Sequence, residues 1–135
     1  MEFIINSIGV VRSPLTDLEI APRQGDEGAP DAWLELAPHL SGGLLGMHVG
    51  DEIIVLTWLH QSRRDVVQVH PRGDQTRPLT GVFATRSPHR PNPIGMHQVV
   101  VKAIEDGRIK VGPLEVIDGT PLVDIKPVLG PPETR

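Results

Sequence analysis

Prolines and glycines interrupt this chain so often that a long helix has no room to form. Each occurs 14 times, so together they make up 28 of the 135 residues, and both disfavour helix interiors. The runs between them are short and rich in β-branched residues, as is typical of strands. A chain of this length forms one ordinary domain. The sequence therefore predicts a single all-β domain, a closed barrel or sandwich of seven or more short strands with long loops and little helix.

The predicted strands follow from hydrophobic pattern and turn signals. Residues 52–59 form a nearly continuous apolar run, consistent with a strand buried on both faces. The pair Asp106-Gly107 lies between two β-branched runs and predicts a hairpin of residues 98–104 and 108–111. The other predicted strands cover residues 3–11, 33–36, 66–70, 81–85, 114–117 and 121–125. We expect the domain to span residues 1–130, followed by a flexible tail at 131–135.

Composition excludes several classes of protein. The chain has no cysteine, which rules out disulfides, thiolate zinc sites and cysteine nucleophiles. It has no apolar run long enough to cross a membrane and no secretory signal at its start, so we expect a cytoplasmic protein without a membrane contact. The histidines lack the HExxH spacing of zinc enzymes, and no Walker loop or nucleophile elbow occurs. We therefore expect no metal.

Positive charge is concentrated in one segment of an acidic chain. The formal net charge is −4, yet residues 60–97 carry six arginines against two aspartates. Every cation of that segment is an arginine, the side chain suited to forked contacts with phosphate or carboxylate. The segment is either a solvated basic face or, as we prefer, the contact surface for an anionic partner.

The motif TRSPHRPNPIG, residues 85–95, lies inside this positive segment. Its three prolines fix φ and restrict the residues before them. Such a loop loses little entropy on ordering, so it can hold polar side chains in a preset arrangement. A purely structural turn would not need the two arginines, the histidine and the asparagine that stand just before and between these prolines. They are Arg86, His89, Arg90 and Asn92.

Three shorter groups of residues are weaker candidates taken alone. His60-Gln61 directly follows the apolar run 52–59, where a polar pair either lines a site mouth or satisfies nearby backbone groups. Pro22-Arg23-Gln24 lies in a long polar loop and is equally consistent with plain surface. The run Asp118-Gly119-Thr120-Pro121 has the composition of an ordinary turn.

Five blocks of the sequence resemble the TsaA/TrmO family, in that family's order. The two long blocks are GVFATRSPHRPNPIG (81–95) and EVIDGTPLVDIKPVL (115–129), and the short ones are IGVVRSP (8–14), APRQ (21–24) and HQ (60–61). The resemblance implies a compact TsaA-like β-barrel, often dimeric, that uses S-adenosylmethionine as methyl donor. It also implies methylation of the exocyclic amine of a threonylcarbamoylated adenosine beside the anticodon of a tRNA.

The resemblance also implies roles for individual residues. The substrate side would be formed by His89, Arg90 and Asn92, and His60, Asn92 or Asp118 would act in catalysis, including removal of the amine proton. The cofactor would contact Pro22, Arg23, Gln24, His60, Gln61, Arg86, Met96, Asp118, Gly119, Thr120 and Pro121.

The methyl acceptor stays open at this point. Family members acting on tRNA carry a further C-terminal domain, whereas this chain ends six residues after Leu129. A small nucleophile or another RNA as acceptor, and a non-catalytic module that binds S-adenosylmethionine or RNA, are the alternatives.

Overall fold

The structure is a computed structural model that describes residues 1–16 and 28–131. Its strands confirm the all-β class. They are β1 (Gly9–Arg12), β2 (Ala32–Leu36), β3 (Glu52–Trp58), β4 (Gln68–Val69), β5 (Thr80–Gly81), β6 (Ile94–Glu105), β7 (Arg108–Gly112) and β8 (Pro121–Pro127). In the residues that the structure describes, three short 3₁₀-helices cover Pro38–Leu44, Pro71–Gly73 and Val82–Ala84. Within these ranges, no helix has the length and apolar character needed to span a membrane.

Six of the strands close into an antiparallel barrel in the order β1-β2-β7-β6-β3-β8. The last strand closes it, because β8 pairs with β3 through Leu56↔Asp124 and with β1 through Gly9↔Leu122. The two remaining strands, β4 and β5, form a separate two-stranded sheet. The predicted closed barrel is therefore confirmed.

The core lies inside the barrel and follows the alternation of the strands. On β6 the buried positions are 95, 97, 99 and 101, and on β3 they are 53, 55 and 57. Most of these inward positions carry valine or isoleucine, whose branched side chains suit a half-buried strand. The outward positions of β3 are partly covered rather than buried, so the prediction that this strand is buried on both faces is wrong. The barrel covers one face of each strand and leaves the other to loops and solvent.

The predicted hairpin is confirmed. Strands β6 and β7 pair from Glu105↔Arg108 onward, and Gly107 has φ of 74°, a conformation that favours glycine. The predicted strands at 33–36 and 121–125 are confirmed with small changes at their ends, and β6 begins at Ile94, four residues earlier than predicted.

Four predicted strands differ from the structure. Of residues 66–70, only Gln68–Val69 form a strand, β4. Residues 3–8 lie in no strand, although Ile8 already forms backbone hydrogen bonds with Leu122 and Ala37, and β1 begins at Gly9. Residues 82–84 form a 3₁₀-helix, and the carbonyls of Val82 and Thr85 accept hydrogen bonds from the Arg90 side chain instead of from a strand. Residues 114–117 are mostly buried yet lie in no strand. The apolar residues of this segment reflect its burial and do not indicate that it pairs with another strand.

Gly9 allows the closest approach between β1 and β2. A Cβ atom at this position would lie 2.1 Å from the backbone oxygen of Glu35. We expect Gly9→Ala to lower the free energy of unfolding by about 1–3 kcal/mol, because backbone atoms cannot move aside as a side chain can. Gly43→Ala is the matched control, since no atom lies within 4 Å of its added Cβ. Urea unfolding measures both variants, and equal stability of the two would contradict the assignment.

Candidate functional site

A cavity of about 660 Å³ opens at one end of the barrel. Its walls come from the residues after β3 (59–62), the start of β6 (94–97) and the segment leading into β8 (115–117 and 120). Because β6 and β8 are both antiparallel to β3, these three segments meet at the same barrel end. The loop 85–90 and residues 69–73 and 75, which follow the start of the β4–β5 sheet, complete the walls. The volume lies within the ~300–1,000 Å³ typical of ligand sites.

The structure brings seven of the predicted site residues to this cavity. They are His60, Gln61, Arg86, His89, Arg90, Met96 and Thr120. Four others lie outside its lining, namely Asn92, Asp118, Gly119 and Pro121. Pro22, Arg23 and Gln24 lie outside the described residues.

Arg90 holds the proline-rich loop together. Its guanidinium donates to the carbonyl oxygens of Val82 at 2.9 Å, Ser87 at 3.0 Å and Thr85 at 3.1 Å. Its backbone N–H donates to the carbonyl of Arg63. A planar guanidinium suits this role because its donors stand in a fixed fork. The structure thus gives Arg90 a structural task in addition to its place in the cavity wall.

Asn92 and His89 are held by the segment that follows β3. The side-chain oxygen of Asn92 accepts from Arg64, which also donates to Pro91 and lies 5.1 Å from the ring centroid of Trp58. The Nδ1 atom of His89 accepts the backbone N–H of Arg63 at 2.9 Å, so the proton of its neutral ring is on Nε2. Both side chains are therefore oriented before any ligand binds.

The turn at Asp118 anchors β1 at the barrel end. Its carboxylate accepts the backbone N–H of Ser13 at 3.0 Å, and its own N–H donates to Leu15. Gly119, with φ of 83°, donates to Val11. Thr120 is buried and lines the cavity. The turn therefore holds the residues that directly follow β1, Ser13 and Leu15. Of the turn's own residues, Thr120 lines the cavity.

Arg86 is placed by β6. Its Nη2 atom donates to the carbonyl oxygen of Met96 at 2.6 Å, and both residues line the cavity. A guanidinium carries five N–H donors, so this bond fixes the side chain and leaves further donors for an anionic group.

A buried polar cluster that no sequence motif predicted lies at the floor of the cavity. Thr57 Oγ1 lies 2.7 Å from Nε2 of His97, and Nδ1 of the same ring contacts the Glu115 carboxylate directly. His97 and Thr57 are buried and occupy inward positions of β6 and β3. A signal was present, since both residues interrupt rows of apolar inward side chains. The contact between His97 and Glu115 left no signal in the sequence, because the two residues are 18 positions apart.

Gly95 is required by this cluster. It faces Thr57 across the β3–β6 ladder, and an added Cβ would lie 2.5 Å from Thr57 Oγ1 and 2.6 Å from His97 Nε2. The last residue of the proline-rich motif therefore lies directly against the Thr57–His97 hydrogen bond.

Part of the positive segment is neutralised locally. A side-chain hydrogen bond from Arg63 holds the pKa of Asp65 below its usual value, and the same bond raises the pKa of Arg63. The pKa of Asp74 is lowered mainly by its side-chain hydrogen bond with Thr76. In the part of the chain that the structure describes, no three histidine or acidic side chains are arranged to hold a metal ion.

Comparison with known proteins gives the family. A model of the tRNA-methyltransferase O N-terminal domain matches residues 10–131. The chain belongs to that family. It is 40% identical over 128 residues to a probable S-adenosyl-L-methionine-binding protein of Methanothermobacter thermautotrophicus, covering 94% of this chain and 90% of the relative. A probable S-adenosyl-L-methionine-binding protein of Archaeoglobus fulgidus is 45% identical over 125 residues, 91% of this chain but 33% of the relative.

The fold is shared with solved structures of the family. The crystal structure of TrmO from Pseudomonas aeruginosa superimposes with a TM-score of 0.75 at 32% identity, covering 96% of this chain and 57% of that one. The chain thus spans just over half the length of that solved protein. The similarity confirms the TsaA-like barrel that the sequence motifs predicted.

The structural task of Arg90 is testable by substitution. Arg90→Met removes three hydrogen bonds to partly buried carbonyls, so we expect the free energy of unfolding to fall by about 1–3 kcal/mol. Arg63→Met is the control, because it removes an exposed pair with Asp65 and should change stability by less than about 1 kcal/mol. Chemical denaturation compares them, and an Arg90 variant as stable as its control would refute the role.

Gly95→Ala tests the cluster. We expect the added methyl group to separate Thr57 from His97 and to lower the free energy of unfolding by about 1–3 kcal/mol. The nitrogen resonances of the His97 ring, measured by NMR, should shift with it. Gly42→Ala, which adds a Cβ with no atom within 4 Å, should leave both quantities unchanged. An unaltered His97 spectrum in the Gly95 variant would disprove the contact.

Proposed function

We propose that this chain binds S-adenosylmethionine in the cavity and transfers its methyl group to a nitrogen of tRNA. One observation carries the proposal: side chains from three separated segments, named as cofactor contacts by the sequence motifs, line one cavity. They are His60 and Gln61, Arg86 and Met96, and Thr120. The family match and the names of the two archaeal relatives support the same cofactor.

The cavity offers chemistry that fits this cofactor. When bound, the cofactor supplies an electrophilic methyl group on a sulfonium, together with a carboxylate and an amine. Arg86 has donors for the carboxylate, and the cavity volume is ample for a ligand of that size. Pro22, Arg23 and Gln24 are proposed to add contacts, as are Asp118, Gly119 and Pro121 at the turn.

The role of the rigid loop follows from the geometry of methyl transfer. In-line displacement requires the acceptor nitrogen to stand opposite the leaving sulfur at near-attack distance. Arg90 and Arg64 fix the loop that carries His89 and Asn92, and we assign these side chains to the acceptor. Of the predicted proton acceptors, His60 is exposed and lines the cavity, whereas the Asp118 carboxylate is bound to Ser13.

A tRNA adenosine beside the anticodon is the proposed acceptor. Three of the six arginines between residues 60 and 97, namely Arg72, Arg86 and Arg90, line the cavity, and positive charge at its wall suits a phosphate backbone. A base in a single-stranded loop reaches such a cavity with little unpairing. A homodimer and a cytoplasmic location stay predictions.

A second candidate is a protein that binds the cofactor without acting on tRNA. One observation favours it. The relative from Methanothermobacter thermautotrophicus, 90% of whose length this chain covers, is named as a binding protein and not as an enzyme. Methyl transfer to a small nucleophile would give the same experimental result, namely cofactor binding without modification of tRNA.

Binding and transfer are measured separately. Isothermal titration with S-adenosylmethionine tests the cofactor, and a labelled methyl group on the donor tests transfer to bulk tRNA, with the modified nucleoside identified by mass spectrometry. We expect binding and a methylated adenosine. Binding with unmodified tRNA would favour the second candidate, and no binding would refute both.

Arg86→Met should weaken binding of S-adenosylmethionine by about 10- to 100-fold, because the variant loses a charge-assisted hydrogen bond to the cofactor's carboxylate. Arg63→Met removes an arginine of the same positive segment outside the cavity lining and should leave the affinity unchanged. Titration calorimetry measures both. Full affinity in the Arg86 variant would show that this side chain does not bind the cofactor.

A further inference from the structure

The cavity contains one acidic group among its otherwise neutral and basic lining. Of the described residues that line it, Glu115 alone carries a carboxylate. Its side chain is 16% exposed and lies against a ring that is 5% exposed. An acid in this position needs an explanation, because a His–Glu pair at a barrel end could be replaced by apolar side chains without loss of stability.

Within the cluster, the Glu115 carboxylate lines the cavity and retains capacity for a ligand. The Nδ1 atom of His97 is engaged by Glu115 and its Nε2 atom by Thr57, so both ring nitrogens are used. A carboxylate has two oxygens and about four acceptor positions, of which the ring occupies one. The contacts of His97 therefore orient Glu115 and leave it able to accept from, or pair with, a positively charged group.

The cationic Arg86 and the acidic Glu115 contact consecutive residues of β6. Arg86 is bound to the backbone of Met96, and Glu115 is bound to the side chain of the next residue, His97. A ligand that carries a negative and a positive group a few bonds apart fits this arrangement. The methionyl part of S-adenosylmethionine has a carboxylate, an ammonium and a sulfonium in such proximity.

We propose that Glu115, oriented by His97 and Thr57, recognises the positive charge of the methionyl part of the cofactor. The inference rests on the proposed function. Glu115 contacts the ligand, while His97 and Thr57 act as positioning residues. A carboxylate that pairs with the sulfonium would also favour release of the product, because the sulfur is neutral after methyl transfer.

Three probes that carry two, one and no positive groups test the proposal by titration calorimetry. S-Adenosylmethionine carries a sulfonium and an ammonium, S-adenosylhomocysteine carries the ammonium alone, and 5′-methylthioadenosine carries neither. We expect Glu115→Gln to weaken S-adenosylmethionine by about 10- to 100-fold and to leave methylthioadenosine within about twofold. Unchanged binding of S-adenosylhomocysteine identifies the sulfonium as the partner, and an equal loss identifies the ammonium.

Controls separate charge recognition from structure. Glu105→Gln changes a carboxylate at the far end of β6, where it pairs with Arg108, and should leave all three affinities unchanged. Thr57→Val should weaken S-adenosylmethionine severalfold, and Thr57→Ser, which keeps the hydroxyl, should restore it. Thermal unfolding without ligand verifies that each variant is folded.

Two results would overturn the inference. An equal loss for all three probes in Glu115→Gln would mean that the residue only shapes the cavity, and full affinity for S-adenosylmethionine would mean that it does not touch the ligand. If the unsubstituted protein binds none of the probes, the proposed function itself fails, and this outcome is distinct from either.

Discussion

The pairing of β8 with both β1 and β3 is the constraint on which the rest of the structure depends. It closes the barrel and joins the end of the described chain to its first strand. Because β8 must enter between these strands, the turn at residues 118–120 is drawn to the exit of β1, where Val11 exchanges backbone hydrogen bonds with Gly119 and Thr120. The segment before that turn then crosses the barrel end and carries Glu115 to His97.

Two arginines of the site, Arg64 and Arg90, form hydrogen bonds within the protein itself. Arg90 bonds to three carbonyls of the proline-rich loop, and Arg64 orients Asn92. The carbonyls of a loop that lies outside the sheet need donors, and guanidinium groups supply several at once. The same contacts rigidify the loop, which is the property that a transfer reaction requires of its acceptor side. Positive charge counted along the sequence therefore overstates what is available to an anionic partner.

Local sequence patterns predicted the fold well where the paired strands are adjacent along the chain. The β6–β7 hairpin follows from Asp106-Gly107, since the turn and its flanking strands are contiguous. The same reasoning was wrong at residues 82–84, which form a 3₁₀-helix, and at residues 114–117, which are mostly buried but lie in no strand. For the site, motif resemblance found Arg86 and Thr120 in the cavity wall but not Glu115, whose role appears only beside His97.

The sequence by itself determined the all-β class and the family, because these depend on turn chemistry, on β-branched runs and on specific motifs, and it predicted a site at residues 85–95. Only the tertiary structure decided how that motif is used. It placed Arg90 on the loop's own carbonyls, set Gly95 against the Thr57–His97 hydrogen bond and joined His97 to Glu115. Such contacts link residues up to 40 positions apart, and they exist only after the barrel has closed.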